Sequence, residues 1–262
     1  MRNRAALNLA TLGPLSLEQK LYAAASTGFA AVGLSQTELD EPGARGRQEL
    51  LLSDLAVAEL EAATGWMDAS STARSLALLR AEQVFATAAE VGAALVLAWP
   101  SDEPVEPLQA ATYFGELCRT AAAVNVRVGL EFRASSATIR DMTTAWHIVE
   151  MAECENGGIV IDIFELYRGG STLQMIEEIP GEKIFLAQVS DAPALPPREL
   201  DDRNRLYPGT GMLELEGFLA LLGAKEYSGY FSLELHNEEY WREDPNLVAG
   251  EGFRAMRRLD MM

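Results

Sequence analysis

Four apolar runs, each carrying an oxygen-bearing side chain at its end, constrain this chain more than any other feature. Val126–Arg133 runs into Glu131, Gly158–Asp162 closes on Asp162, Ile184–Asp191 carries Gln188, and Tyr230–Glu234 closes on Glu234. They are rich in β-branched residues and far too short to span a bilayer, so each reads as a strand. Their apolar character is continuous rather than alternating, which marks strands buried on both faces, as in a parallel sheet. Helical segments separate them, so their carboxyl ends are expected to gather Glu131, Asp162, Gln188 and Glu234 at one end of the molecule.

The rest of the chain extends this alternation. Ala5–Ala10 is read as the first strand, followed by a helix through Ala25 with Ser16 as its N-cap. Gly28 ends that helix, Phe29–Leu34 forms strand two, and a Gly- and Pro-punctuated acidic loop runs from Glu38 to Gly46. Leucines at helical spacing predict a helix over Arg47–Thr64, with Gly65–Ala69 as strand three. A helix over Ser75–Val91, with Leu76, Leu79, Phe85 and Ala88 on or near one stripe, precedes strand four at Ala94–Ala98. Helices are expected over Pro107–Val124, Thr138–Glu155, Thr172–Glu178, Leu215–Leu222 and Pro245–Leu259. Eight strands and eight helices in strict alternation suit an α/β chain folded as a single (β/α)8 barrel, one domain over residues 1–262. The turn after strand one, Thr11-Leu12-Gly13-Pro14-Leu15, lacks the Gly-rich fingerprint and the lysine of nucleotide-binding sheets.

Composition narrows the partners. With 39 acidic against 21 basic residues the formal charge is −18, which repels nucleic acid and anionic lipid. Neither is expected as a partner. Cys118 and Cys154 fall in predicted helices and give no disulfide framework. The apolar start is broken by Asn8, Thr11, Gly13 and Pro14 and does not resemble a secretory segment. A soluble cytoplasmic protein is expected.

Barrels of this kind place their active site at the carboxyl ends of the strands. A lone acid there often only starts a loop. Three carboxylates gathered with an amide, however, repel one another and need a counter-charge, which one divalent cation supplies. Oxygen-only ligands favour Mn2+ or Mg2+. Glu131, Asp162, Gln188 and Glu234 are therefore the expected metal ligands, with Glu131 and Glu234 placed to move a substrate proton.

Gly129-Leu130-Glu131, Val160-Ile161-Asp162, Gln188-Val189-Ser190-Asp191, Tyr207-Pro208-Gly209-Thr210-Gly211 and Ser232-Leu233-Glu234 resemble the xylose-isomerase-like sugar phosphate isomerase/epimerase superfamily over nearly the whole length. The resemblance implies one divalent metal on the acids after strands five, six and eight and on a side chain after strand seven. That residue is commonly histidine; Gln188, with Arg205 and the Pro-Gly-x-Gly loop, is similar to the 3-dehydroshikimate dehydratase branch. Where family members often read Asp-x-x-His, this chain reads Asp162-Ile163-Phe164-Glu165. An acid at Glu165 disfavours an anionic substrate group. The implied activity is an isomerase or epimerase acting through an enediolate on a ketose, keto-polyol or keto-cyclitol. A dehydratase and a non-catalytic sugar-binding or partner subunit are the alternatives, and by resemblance a homodimer is expected.

Further residues are weighed for substrate binding. His236 and Arg133 each stand two residues beyond a site glutamate, on the same side of an ending strand. Arg133 suits a carboxylate or phosphate, though a surface ion pair is as good a reading. Arg205 lies on the long loop from Ala192 to Gly211. Trp99 offers an apolar wall, as does Trp241. Asp191 is read as a turn cap, and His147 as an ordinary helical histidine. Three lysines, none at a strand exit, disfavour a Schiff base. Too few histidines and no basic face disfavour the related metal-dependent DNA-repair endonucleases.

Overall fold

The computed structural model describes residues 3–40 and 46–261; the centre of the expected acidic loop, 41–45, lies outside them. Eight parallel strands close on themselves in sequence order: β1 (Ala5–Asn8), β2 (Ala31–Ser35), β3 (Ala56–Ala63), β4 (Leu95–Ala98), β5 (Arg127–Glu131), β6 (Gly157–Asp162), β7 (Ile184–Val189) and β8 (Phe231–Leu233). β1 pairs with both β2 and β8, so no edge remains. The fold is a (β/α)8 barrel, as the alternation required.

The interior is filled by side chains. Ala6, Ala31, Ala58, Leu95, Leu97, Val160, Phe185 and Leu186 pack inside it, and the larger apolar cluster joins the outer strand faces to the helices. The helices are α1 (Leu17–Thr27), α2 (Gln36–Leu39), α3 (Gly46–Leu52), α4 (Ser71–Val91), α5 (Pro107–Ala122), α6 (Met142–Ala152), α7 (Ile163–Gly169), α8 (Leu215–Ala224) and α9 (Pro245–Arg258). Ser16 caps α1 in a reciprocal capping box with Gln19, satisfying backbone donors that the first turn leaves free.

The structure corrects four expectations. The stretch read as one helix over Arg47–Thr64 divides into α3 and strand β3, while Gly65–Ala69, expected as strand three, is a turn. Apart from Val57, Ala56–Ala63 is built from alanine, glutamate and leucine, all good helix formers, but parallel pairing with β2 and β4 overrides that local preference. On α4 the buried face is Ala77, Ala81, Val84, Phe85, Ala88 and Val91, and Leu76 and Leu79 are exposed. A short helix, α7, follows β6 without a loop, and Leu173–Glu178 is a 3-10 turn. Cys154 lies just beyond α6 and, like Cys118, is unpaired.

Candidate active site

Glu131 and Asp162 are the last residues of β5 and β6, Gln188 is the penultimate residue of β7, and Glu234 follows β8. All four are buried, Asp162 and Gln188 completely. The acids lie close enough to act on one another. Glu131 is repelled by Glu234, Asp162 and Glu165, and Asp162 by Glu234 and Glu165.

Each carboxylate is held differently. Asp162 Oδ1 accepts from the backbone N–H groups of Phe164 and Glu165 and so caps α7, while its Oδ2 accepts from Arg205 Nη2 at 2.6 Å. Glu234 Oε1 is 2.8 Å from His236 Nε2. Glu131 Oε2 accepts from Trp99 Nε1 at 2.6 Å. Burial pushes Asp162 up to about 6 against the pull of Arg205, and lifts Glu131 well above the carboxylate range, only partly offset by Arg133. At Glu234 burial also pushes upward, but Arg205, His236 and Arg133 together outweigh it and hold the group at about 2. His236, despite its own burial, is raised by the bond to Glu234.

The remaining expected residues also gather here. Arg133 lies with its guanidinium 4.6 Å from the Trp99 ring centre, and Arg205 at 4.6 Å over Phe164. Glu165 is 1 % exposed, and both its oxygens are committed, Oε2 to the Ala134 N–H and Oε1 to Arg168. Its charge is thus neutralised inside the protein, which removes the objection to an anionic substrate group. Trp241 packs its indole on Gly13 and donates to Ala10 O. His147 is exposed on α6.

The Pro-Gly-x-Gly loop gains a physical account. Asp191 accepts from the N–H groups of Ala192, Gly209, Gly211 and Leu213, folding the loop back so that Arg205 reaches the strand ends. A side chain at Gly211 would meet Ala192 O at 2.2 Å, and Gly209 sits at φ +81°, so both positions require glycine. Asp191 is therefore the organiser of the loop that delivers Arg205.

Two acids went unread in the sequence. Glu59 and Glu61, two apart on β3, are buried near the same site. Glu59 Oε1 accepts from Ser232 Oγ at 2.7 Å, its Oε2 has no hydrogen-bond partner among the described residues, and Gly33 leaves the space it occupies. Glu61 Oε1 accepts from Asn8 Nδ2. Burial raises Glu59 to about 8 and Glu61 to about 7. The count of alternating elements requires a strand before α4, but Gly65–Ala69 satisfied that count as well as Ala56–Ala63 does, so it did not single these acids out.

Gln188 Oε1 and Nε2 and Glu234 Oε2 are buried with no hydrogen-bond partner among the described residues. Such atoms are costly unless something meets them, and an oxygen-seeking divalent ion fits this donor set. As the side chains lie, no group of three or more His, Cys, Asp or Glu among the described residues forms a ready cage, and Asp162 Oδ2 is bonded to Arg205.

A sequence model described as xylose isomerase-like TIM barrel matches residues 21–259. The chain is 31 % identical to a 3-dehydroshikimate dehydratase of Pseudomonas aeruginosa over 254 residues, 94 % of this chain and 40 % of that one. It is 34 % identical to an inosose isomerase of Halalkalibacterium halodurans over 128 residues, 48 % of this chain and 45 % of the relative. The chain thus spans under half the length of these relatives. Among solved structures, the IolI protein with a bound zinc atom superposes with a TM-score of 0.86 at 22 % identity, covering 98 % of this chain and 96 % of that one.

Proposed function

The chain belongs to the xylose isomerase-like TIM barrel family, and from that membership and its acid-lined strand ends we propose an enolising isomerase or epimerase of a keto-polyol or keto-cyclitol. The observation that carries this is the gathering of Glu131, Asp162, Gln188 and Glu234 at the ends of β5 to β8, with both polar atoms of Gln188 and Oε2 of Glu234 buried and without a hydrogen-bond partner among the described residues; beside this geometry, Arg205 and His236 pull Glu234 down while burial raises Glu131. Environments that push two carboxyls apart supply one base and one acid.

Glu131, Asp162, Gln188 and Glu234 would hold one divalent ion, Mn2+ or Mg2+, which when bound supplies Lewis-acid stabilisation of charge on a carbonyl oxygen. Glu234 removes the proton next to the substrate carbonyl, and His236, hydrogen-bonded to it and 30 % exposed at its side chain, connects that proton to solvent. Glu131, kept in place by Trp99, returns a proton. Return to the opposite face gives epimerisation, and return to the neighbouring carbon gives isomerisation. The inosose isomerases among the relatives and a structural likeness to an L-ribulose 3-epimerase, TM-score 0.79, support this reading. A dehydratase is the second reading, favoured by a similarity to 3-dehydroshikimate dehydratases that runs along 94 % of the chain.

Solvent deuterium incorporation into an inosose, measured by NMR with Mn2+, Mg2+ or Zn2+ added, tests the proposal. Exchange that falls about 100-fold or more in Glu234→Gln is expected. No exchange into any ketose with any of these metals would overturn it, and an ultraviolet-absorbing aromatic product from 3-dehydroshikimate would select the dehydratase.

A further inference from the structure

Asp202, in the long loop after β7, stands among three guanidinium groups. Its Oδ1 is 3.5 Å from Arg205 Nη2 and 3.7 Å from Arg168 Nη1, and its Oδ2 is 3.8 Å from Arg133 Nη2. These are ion-pair distances, longer than the roughly 2.7–2.9 Å of a charge-assisted hydrogen bond. Oδ1 is buried with no hydrogen-bond partner among the described residues, and so is Nε of Arg205, a residue only 2 % exposed. An acceptor and a donor thus go unsatisfied at the centre of a charge cluster, which is costly.

The arginines do not depend on Asp202 for their placement. Arg133 lies over Trp99, Arg205 lies over Phe164 and is bonded to Asp162, and Arg168 is bonded to Glu165. Asp202 is the loosest member, its side chain 38 % exposed. We propose that Arg133, Arg168 and Arg205 form the seat of an anionic group on the substrate, a carboxylate or a phosphate, and that Asp202 fills this seat until the substrate displaces it.

A substrate carboxylate replaces the Asp202 carboxylate among the same three guanidiniums with no change of charge, and a phosphate brings up to about one further negative charge to them. The Nε–H of Arg205, which has no hydrogen-bond partner among the described residues, is left for an oxygen of the incoming anion. In a protein of net charge −18 an anion needs such a seat to enter at all. The inference rests on the proposed function and narrows its substrate to a keto-polyol or keto-cyclitol that carries a carboxylate or a phosphate.

Removing the occupant separates this reading from a purely structural one. If Asp202 competes for the seat, deleting its charge tightens anion binding, because the fraction of molecules with an open seat rises; if it merely pins the loop, binding weakens or stays the same. The test is calorimetric titration of the full chain with benzoate, inorganic phosphate and neutral myo-inositol at fixed ionic strength. Asp202→Asn is expected to bind benzoate or phosphate at least about fivefold more tightly, and Arg133→Gln at least about fivefold more weakly, with inositol unaffected. Tightening for benzoate alone assigns a carboxylate, and for phosphate alone a phosphate. Unchanged or weaker anion binding in folded Asp202→Asn overturns the proposal. So does failure of both Asp202→Asn and Asp202→Ser to fold, since the residue would then be a structural necessity. A chain that exchanges deuterium into an inosose but fails this titration keeps its function and loses the seat; one that passes but enolises nothing keeps the seat alone.

Discussion

Asp162 and Glu59 are both 0 % exposed, yet they represent two ways of burying a carboxylate. On the β6 to β8 side three site acids each touch a basic side chain: Asp162 has Arg205, Glu165 has Arg168, and Glu234 has His236. On β3 and at the end of β5 the donors are neutral: Ser232 for Glu59, Asn8 for Glu61, Trp99 for Glu131. A neutral donor does not offset the loss of hydration, so the second group takes up protons near neutral pH while Glu234 stays charged. The barrel mouth is therefore divided into an ionic half, suited to binding and polarising, and a half that stores protons.

The largest expected effect comes from removing the cation of the ionic half. Arg205→Gln leaves Asp162 buried and uncompensated, and should lower stability by about 3–5 kcal/mol, seen as a fall in Tm of ~10 °C. Adding Asp162→Asn, which preserves the α7 cap, should recover at least half of that loss. Simple additivity of the two substitutions would break the comparison.

The proton-storing half predicts a pH dependence of the opposite sense to that of an ion-paired acid. Glu59 rises from 4.5 in the unfolded chain to about 8 in the folded one, so the folded state holds its proton over that interval and the unfolded state does not. Stability should be unaffected by this group below pH 4.5, and should fall as pH rises toward 8, by on the order of 5 kcal/mol at most. Glu59→Gln should flatten the decline in Tm between pH 5 and pH 8. An equally steep decline in the variant would assign the titration elsewhere.

Trp99→Phe keeps an aromatic ring beneath Arg133 and deletes only the donor to Glu131. The expected loss is about 1–2 kcal/mol, or a Tm lower by ~3–6 °C, and a larger loss would mean that Glu131 is ionised in the folded protein. At the other extreme, Arg254 pairs with Glu251 on the surface of α9, both well exposed. Arg254→Ala should cost less than about 1 kcal/mol, a fall in Tm of less than ~3 °C, which sets the scale against which the buried pairs are judged.

Much of the ionic half was legible before any coordinates. Continuous apolar strands announce themselves, and a carboxylate closing such a run must lie at a barrel rim, so Asp162 and Glu234, and across the mouth Glu131, were placed by local pattern alone. His236 was found by alternation, two residues beyond Glu234. The proton-storing half was hidden because Ala56–Ala63 spells a helix in its local preferences; only the barrel's demand for a third strand makes it extended, and only then do Glu59 and Glu61 point to one place. Arg168 was equally invisible, since α7 follows β6 without a break and is only seven residues long.

What the order of residues determined was the alternation of elements, and with it a closed parallel barrel whose acids lie at one end, because burial on both faces leaves continuous apolar strands few other arrangements. What only the tertiary structure decided was the charge state of those acids. That depends on which donor lies within about 3 Å of each oxygen, a cation or a neutral group, and those donors come from segments as far away in sequence as the loop bearing Arg205.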